Sequence, residues 1–208
     1  MFKPIIFSLL CLSGSMAAPT TVRTEDVVAD FSDVPVPSGA PVGFVPIDVY
    51  KGLKFIGFLA GNPVSNPEPV DIKTDAPYAT YRFLTNSPIE TDQGYLRTKY
   101  PGSSVKSFDL HSMDFHCATT NYTPTTVTSA IECNILFQPL RGNERLTAQT
   151  VSFKPVTGMN SEQHVKFGDE FKGITEVIIT YLDTPDARDT PSKVIVMGMD
   201  NLDYTLTF

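Results

Sequence analysis

The sequence predicts an all-β protein, a β-sandwich in one exported domain, and three observations carry that prediction. Apolar residues alternate with polar ones over short runs, as in Met113, Phe115 and Cys117 and again in Ile131, Cys133, Ile135 and Phe137; a period of two marks half-buried strands. Such runs recur along the chain between turn-rich stretches without an amphipathic helix among them, which favours a sandwich over an α/β fold. The first residues have the build of a secretory signal, and two cysteines remain once it is removed. At 208 residues the chain is long enough to bury one proper core.

In chain order, residues 1–17 (MFKPIIFSLLCLSGSMA) read as the signal peptide. Lys3 supplies the positive start, Ile5 to Leu12 the apolar core, and Ser15 and Ala17 the small residues at −3 and −1, so cleavage is expected after Ala17 and leaves 18–208 as the mature domain. The apolar run is too short to span a bilayer, and Cys11 leaves with it. Ala18 to Thr24 is a small, polar end. Val27 to Val34 reads as the first strand, followed by a segment too proline-rich for a central strand. Tyr50 to Leu59 forms a turn and a second strand. From Gly61 to Pro101 the chain is irregular, with prolines at 63, 67, 69, 77, 88 and 101. Within it only Tyr78 to Leu84 and Tyr95 to Tyr100 have strand character, and the regular aromatics favour ordered binding loops.

The centre of the chain is Ser107 to Leu140. Phe108 and Leu110 share one parity, Met113, Phe115 and Cys117 the other, so a bulge is expected at His111 and Ser112. Cys117 and Cys133, an even pair in an oxidising compartment, are expected to form a disulfide stapling a β-hairpin. Closing a loop of that size contributes about 3 kcal/mol in the chain-entropy model. A reactive thiol would need a basic neighbour, and His116, adjacent to Cys117, points to the opposite face of a strand. Beyond the hairpin, strands are expected at Leu146 to Val156, His164 to Phe167, Ile174 to Leu182, Lys193 to Met199 and Tyr204 to Phe208.

Charge and motifs exclude several functions. A formal net charge of −7 repels phosphate backbones and speaks against nucleic-acid binding. No later apolar run reaches membrane length, and the C-terminus lacks the hydrophobic tail of a glycolipid anchor. His111, His116 and His164 have no metal-ligand spacing, there is no G-x-S-x-G elbow, and the glycines form no phosphate-binding loop. Asn121-Tyr-Thr is a glycosylation sequon, with Pro124 after it reducing its use. Asp30 and Asp33 near the start and Asp200, Asn201 and Asp203 near the end offer carboxylates that would suit a calcium ion if the terminal strands are neighbours; the same residues also serve as backbone-capping turn residues.

The order of motifs resembles that of secreted fungal proteins, and some bacterial exported ones, built as galactose-binding-like jelly-roll sandwiches. The residues that carry the resemblance are Phe31 and Asp33, Tyr50, Gly52, Leu53 and Phe55, then Phe108, Asp109, Leu110 and Ser112, and finally Asp200, Asn201 and Leu202. The resemblance implies a jelly roll with a lectin-like or carbohydrate-binding role and a structural calcium near the termini, taken here by Asp30, Asp33 and Asp200. The chain has no tryptophan, so tyrosines would supply the stacking surface for a sugar; Tyr78, Tyr81, Tyr95 and Tyr100 are the expected ligand-binding residues, with Tyr122 beside them. The leading expectation is therefore a secreted, non-catalytic protein that binds a cell-wall or host-surface glycan. The alternatives are a polysaccharide-active enzyme with a carboxylate pair in the 61–101 region, or an extracellular structural or interaction protein without a small ligand; the partner is expected to be a glycan or an extracellular protein.

Overall fold

The computed structural model describes residues 21–35, 44–61, 78–83, 93–121, 127–155, 162–182 and 193–208. The expected signal peptide, Tyr122 and most of the 61–101 stretch lie outside these residues. The described chain forms strands β1 (Thr24–Ala29), β2 (Phe44–Pro46), β3 (Val49–Tyr50), β4 (Leu53–Ile56), β5 (Phe58–Gly61), β6 (Tyr78–Phe83), β7 (Gln93–Arg97) and β8 (Ser107–Asn121). There follow β9 (Val127–Ala130), β10 (Cys133–Arg141), β11 (Glu144–Arg145), β12 (Gln149–Phe153), β13 (Gln163–Lys166), a 3-10 turn at Asp169–Phe171, β14 (Glu176–Leu182) and β15 (Lys193–Thr207).

These strands make two antiparallel sheets packed face to face. The first runs β13-β8-β15-β6-β5-β2, with β1 also on β15 and β9 also on β8; the second runs β11-β10-β14-β7-β4-β3, with β12 also on β10. The spine of the first sheet is the pairing of its two 15-residue strands, β8 and β15. Alternation along β10 is complete, Cys133, Ile135, Phe137 and Pro139 facing in and their neighbours facing out. Inward residues of both sheets meet in one core: Phe115 of β8 packs edge-on against Phe153 of β12, 5.8 Å between ring centroids, and Phe58 of β5 against Phe55 of β4.

The parity change in the sequence is a real irregularity. Asp200 pairs with Asp114, Asp203 with Ser112 and Tyr204 with Leu110, so the register slips on either side of Asp203. β15 gains a residue between Asp200 and Asp203, and β8 gains His111. The two bulges keep Leu110 and Met113, and Met199 and Leu202, all buried despite their changed parity. The expected pair of final strands, 193–199 and 204–208, is thereby one bulged strand.

Two further expectations are corrected. The first strand ends at Ala29 instead of continuing to Val34, because Phe31 turns to φ 55° and enters the core against Tyr50 and Phe55. The disulfide Cys117–Cys133 forms, but it does not staple a hairpin. β8 turns back into β9 within the first sheet, and the chain then crosses to β10 in the second. Both cysteines point inward and are fully buried, so the bond ties one sheet to the other across the core.

A tight hairpin brings the second sheet's edge onto the first. Lys51 and Gly52 form the two-residue turn between β3 and β4 with φ of 44° and 85°, the left-handed pair that such turns require. A side chain at Gly52 would also meet Leu206 Cδ1 at 2.5 Å. The buried Tyr204 of β15 donates its hydroxyl to Lys51 O at 2.7 Å, anchoring the tip.

Candidate functional site

The residues the sequence singles out fall in three places. Tyr78 and Tyr81 lie on β6 in the first sheet, Tyr95 on β7 in the second, and Tyr100 in the turn after β7, where its hydroxyl reaches Gly52 O at 3.4 Å. The strands that carry these tyrosines belong to different sheets, and the side chains of Tyr78 and Tyr81 lie outside the described ones. Tyr95 is the one whose described surroundings resemble a binding platform.

β7 alternates strictly, Gly94 and Leu96 buried and Gln93, Tyr95 and Arg97 half-buried on the outer face of the second sheet. Tyr95 stands opposite Ile178 of β14 and Ile56 of β4, which flank the ring with apolar surface. Its hydroxyl donates to Gln93 Oε1 at 2.9 Å. The Arg97 guanidinium lies over the ring, 4.5 Å from its centroid, and is itself held by Glu176, with Nε–Oε2 2.6 Å and Nη2–Oε1 3.2 Å. The pair rests on one hydrogen bond, from Nη2, and on the close ionic contact of Nε, which together hold the guanidinium beside the carboxylate. The result is a ring of set orientation bordered by an amide, a cation and a carboxylate, the elements that grip a hydroxylated ring-shaped ligand. Gln93 and Arg97 were legible as same-face neighbours of Tyr95 at i±2. Glu176, 79 residues away from Arg97, was not.

The terminal aspartates converge, as the neighbouring terminal strands allow, but on protein groups. Tyr50 donates its hydroxyl to Asp33 and reaches Asp30 Oδ1 at 3.4 Å. Lys51 Nζ sits between Val28 O, at 2.8 Å, and Asp30 Oδ1, at 3.0 Å, an ammonium held by a carbonyl and a carboxylate as a metal cation would be. The Lys51 hydrogen bond lowers the Asp30 pKa, and burial together with the Asp33 bond raises that of Tyr50. Among the described residues no group of three or more His, Cys, Asp and Glu side chains is disposed to hold a metal ion. Because the ion pair is half exposed, Lys51→Met is expected to cost about 1 kcal/mol in a denaturation series.

Asp200, within electrostatic range of Asp30, sits on the first sheet beside the bulge. There His164, Asp114 and Asp200 stand opposite one another on β13, β8 and β15. His164 Nδ1 is 2.8 Å from Asp114 Oδ1, and Asn201 Nδ2 donates to Asp114 Oδ2 at 3.0 Å. Burial first, and the carboxylates of Asp114 and Asp30 after it, push Asp200 up to about 6, against the pull of the Asn201 N–H on its Oδ1. Burial and the charges of Asp200 and Asp114 also raise Glu162. A carboxyl raised on folding binds its proton more tightly in the native state, so its ionisation destabilises the fold as pH rises from about 4 to about 6. Asp200→Asn is therefore expected to stabilise the protein by on the order of 2 kcal/mol at pH 7 and by little at pH 4. Melting temperatures of both proteins across that range check it.

No known protein family matches the chain, and no curated protein matches it in sequence. Among solved structures it is similar to a DUF4465 family protein from Bacteroides caccae, with a TM-score of 0.50 at 12% identity over 86% of this chain and 98% of that one. At that identity the similarity shows the β-sandwich fold alone. The adhesin domain of Lys-gingipain from Porphyromonas gingivalis aligns over 90% of this chain and 94% of its own at 13% identity, but with a TM-score of 0.29 the superposition is too loose to bear on fold or function.

Proposed function

We propose that this is an extracellular, non-catalytic binding protein that holds a glycan against the outer face of its second sheet at Tyr95. The single observation that carries the reading is the fixed, part-buried Tyr95 ring with Gln93 beside it and the Glu176-held Arg97 over it. A sugar ring presents an apolar face that stacks on such an aromatic and hydroxyls that bond to neighbouring amides, guanidinium and carboxylate. The buried disulfide accords with an oxidising compartment, and among the described residues no helix is long and apolar enough to cross a membrane. Tyr95→Ala is expected to weaken retention on an immobilised cell-wall polysaccharide by about tenfold or more while leaving the melting temperature within about 2 °C. Tyr100→Ala is expected to leave retention unchanged. Retention of Tyr95→Ala equal to that of the parent protein overturns the assignment.

A second reading, a polysaccharide-active enzyme, has one specific observation in its favour. Asp200, raised to about 6, faces Asp114 across the β8–β15 pair, and carboxyl groups in unlike environments are the raw material of acid–base catalysis. Polysaccharide hydrolysis that disappears in Asp200→Asn would move the assignment there. Calcium at Asp30 and Asp33 would have to displace the Lys51 ammonium, so a rise in melting temperature on adding calcium to chelated protein would place the ion at these aspartates, and an unchanged melt leaves Lys51 as their cation.

A further inference from the structure

Among the described residues the outer edge of β1 is open. β15 carries β8 along one side, and along the other β6 and β1 lie end to end, β6 on residues 195–199 and β1 on residues 202–207. β6 continues into β5, whereas among the described residues nothing pairs with the far side of β1. The hydrogen-bond phase along β1 follows from one bond. Phe208 N donates to Arg23 O at 2.9 Å, and in an antiparallel pair every second residue faces the partner strand. Glu25, Val27 and Ala29 therefore bond to β15, and the N–H and C=O groups of Thr24, Asp26 and Val28 point away from it. The contact of Lys51 Nζ with Val28 O agrees with this phase and closes one end of the row.

Beside this edge runs an open groove of about 580 Å³ lined by Arg23, Glu25, Val27, Lys51, Gly52 and Leu206. Val22 and Val28, at 68% and 51% exposed, are among the most exposed large apolar residues described. An unpaired row of alternating donors and acceptors next to a groove and exposed valines accepts one chemistry, an extended polypeptide strand. We infer that β1 is a docking edge on which an extended, basic segment of another protein adds as a further strand of the first sheet.

Charge selects the occupant. A residue placed opposite Asp26 would have its side chain on the same outer face, beside the Asp26 carboxylate, whose Oδ1 already accepts from Thr205 at 2.7 Å and whose other oxygen is left for a cation. Asp203, opposite Val28, adds a second carboxylate there. With the chain at −7, a second copy would bring like charges to this edge, whereas a lysine or arginine segment is attracted to it. This inference is independent of the Tyr95 face, which lies on the other sheet.

The test uses the full chain and an acetylated, amidated peptide, Thr-Val-Lys-Val-Lys-Val-Thr, alongside its counterpart with glutamate for lysine. The lysine peptide is expected to bind about tenfold or more tighter than the glutamate peptide and to slow amide exchange at Thr24, Asp26 and Val28. Val28→Pro removes an N–H from the open edge without removing a bond to β15, so it is expected to keep the parent melting temperature and lose the peptide. Tyr95→Ala is expected to bind the peptide as the parent does. Undiminished binding by Val28→Pro, or no change in exchange at the three amides with millimolar peptide, overturns the inference. So does a concentration-dependent dimer that Val28→Pro abolishes, which would assign the edge to a second copy.

Discussion

Replacing Cys117 and Cys133 together by alanine is expected to lower the stability of this protein by about 3 kcal/mol and its melting temperature by roughly 6–12 °C. The two residues are 16 apart in sequence, and closing a loop of that length accounts for the estimate through the entropy of the unfolded chain. The position of the bond adds a second expectation. Because it joins the sheets from their buried faces, with both cysteines at 0% exposure, a reductant reaches it only when the sandwich opens. Reduction under native conditions should therefore be slow, and should speed up with denaturant in step with global unfolding. Thiol titration over time checks both. A melting temperature unchanged in the double variant, or fast reduction of the native protein, contradicts the cross-sheet role.

Gly198→Ala is expected to be comparably severe, at about 3 kcal/mol, for a reason visible only in three dimensions. Gly198 pairs with His116 across the β8–β15 spine, and the imidazole occupies the space where a Cβ on the glycine would project. A methyl group there would lie 2.0, 2.3 and 2.7 Å from three atoms of the ring, far inside van der Waals contact. His116 is 4% exposed, so the ring has little room to withdraw. Burial also lowers its pKa to about 4, which keeps it neutral at physiological pH. Since the unfolded histidine takes up its proton first, this site loses stability as pH falls from about 6.5 towards 4, opposite in sign to Asp200. In a His116→Ala background the Gly198→Ala change should cost at least 1 kcal/mol less, a coupling that a double-mutant cycle measures directly. Additive effects of the two substitutions would contradict the contact.

Much of the fold was legible because it is written in local alternation. The parities of Phe108, Leu110, Met113, Phe115 and Cys117 mark the strand and its bulge, since burial on one face imposes the pattern residue by residue. The partner of each strand was not legible. The Cys117 to Cys133 segment looks like a hairpin because both ends alternate, and only pairing shows that β8 closes on β9 while β10 belongs to the other sheet. Polar runs misled in a regular way. Asp200-Asn-Leu-Asp reads as a turn between strands, yet the bulge admits these residues within one, with Asn201 at φ 47°. At the candidate site Tyr95 and its i±2 neighbours were readable, whereas Glu176, which fixes Arg97, comes from another strand and leaves no local trace. The terminal aspartates were found from composition alone, but their partners Tyr50 and Lys51 depend on where the β3–β4 turn lands.

The most direct test of the account is binding of the protein and its Tyr95→Ala variant to a broad glycan and cell-wall polysaccharide array, each with calcium and with chelator. The account predicts selective, saturable binding by the parent protein that falls about tenfold or more in the variant. A blank array for the parent protein, or equal binding by the variant, contradicts it.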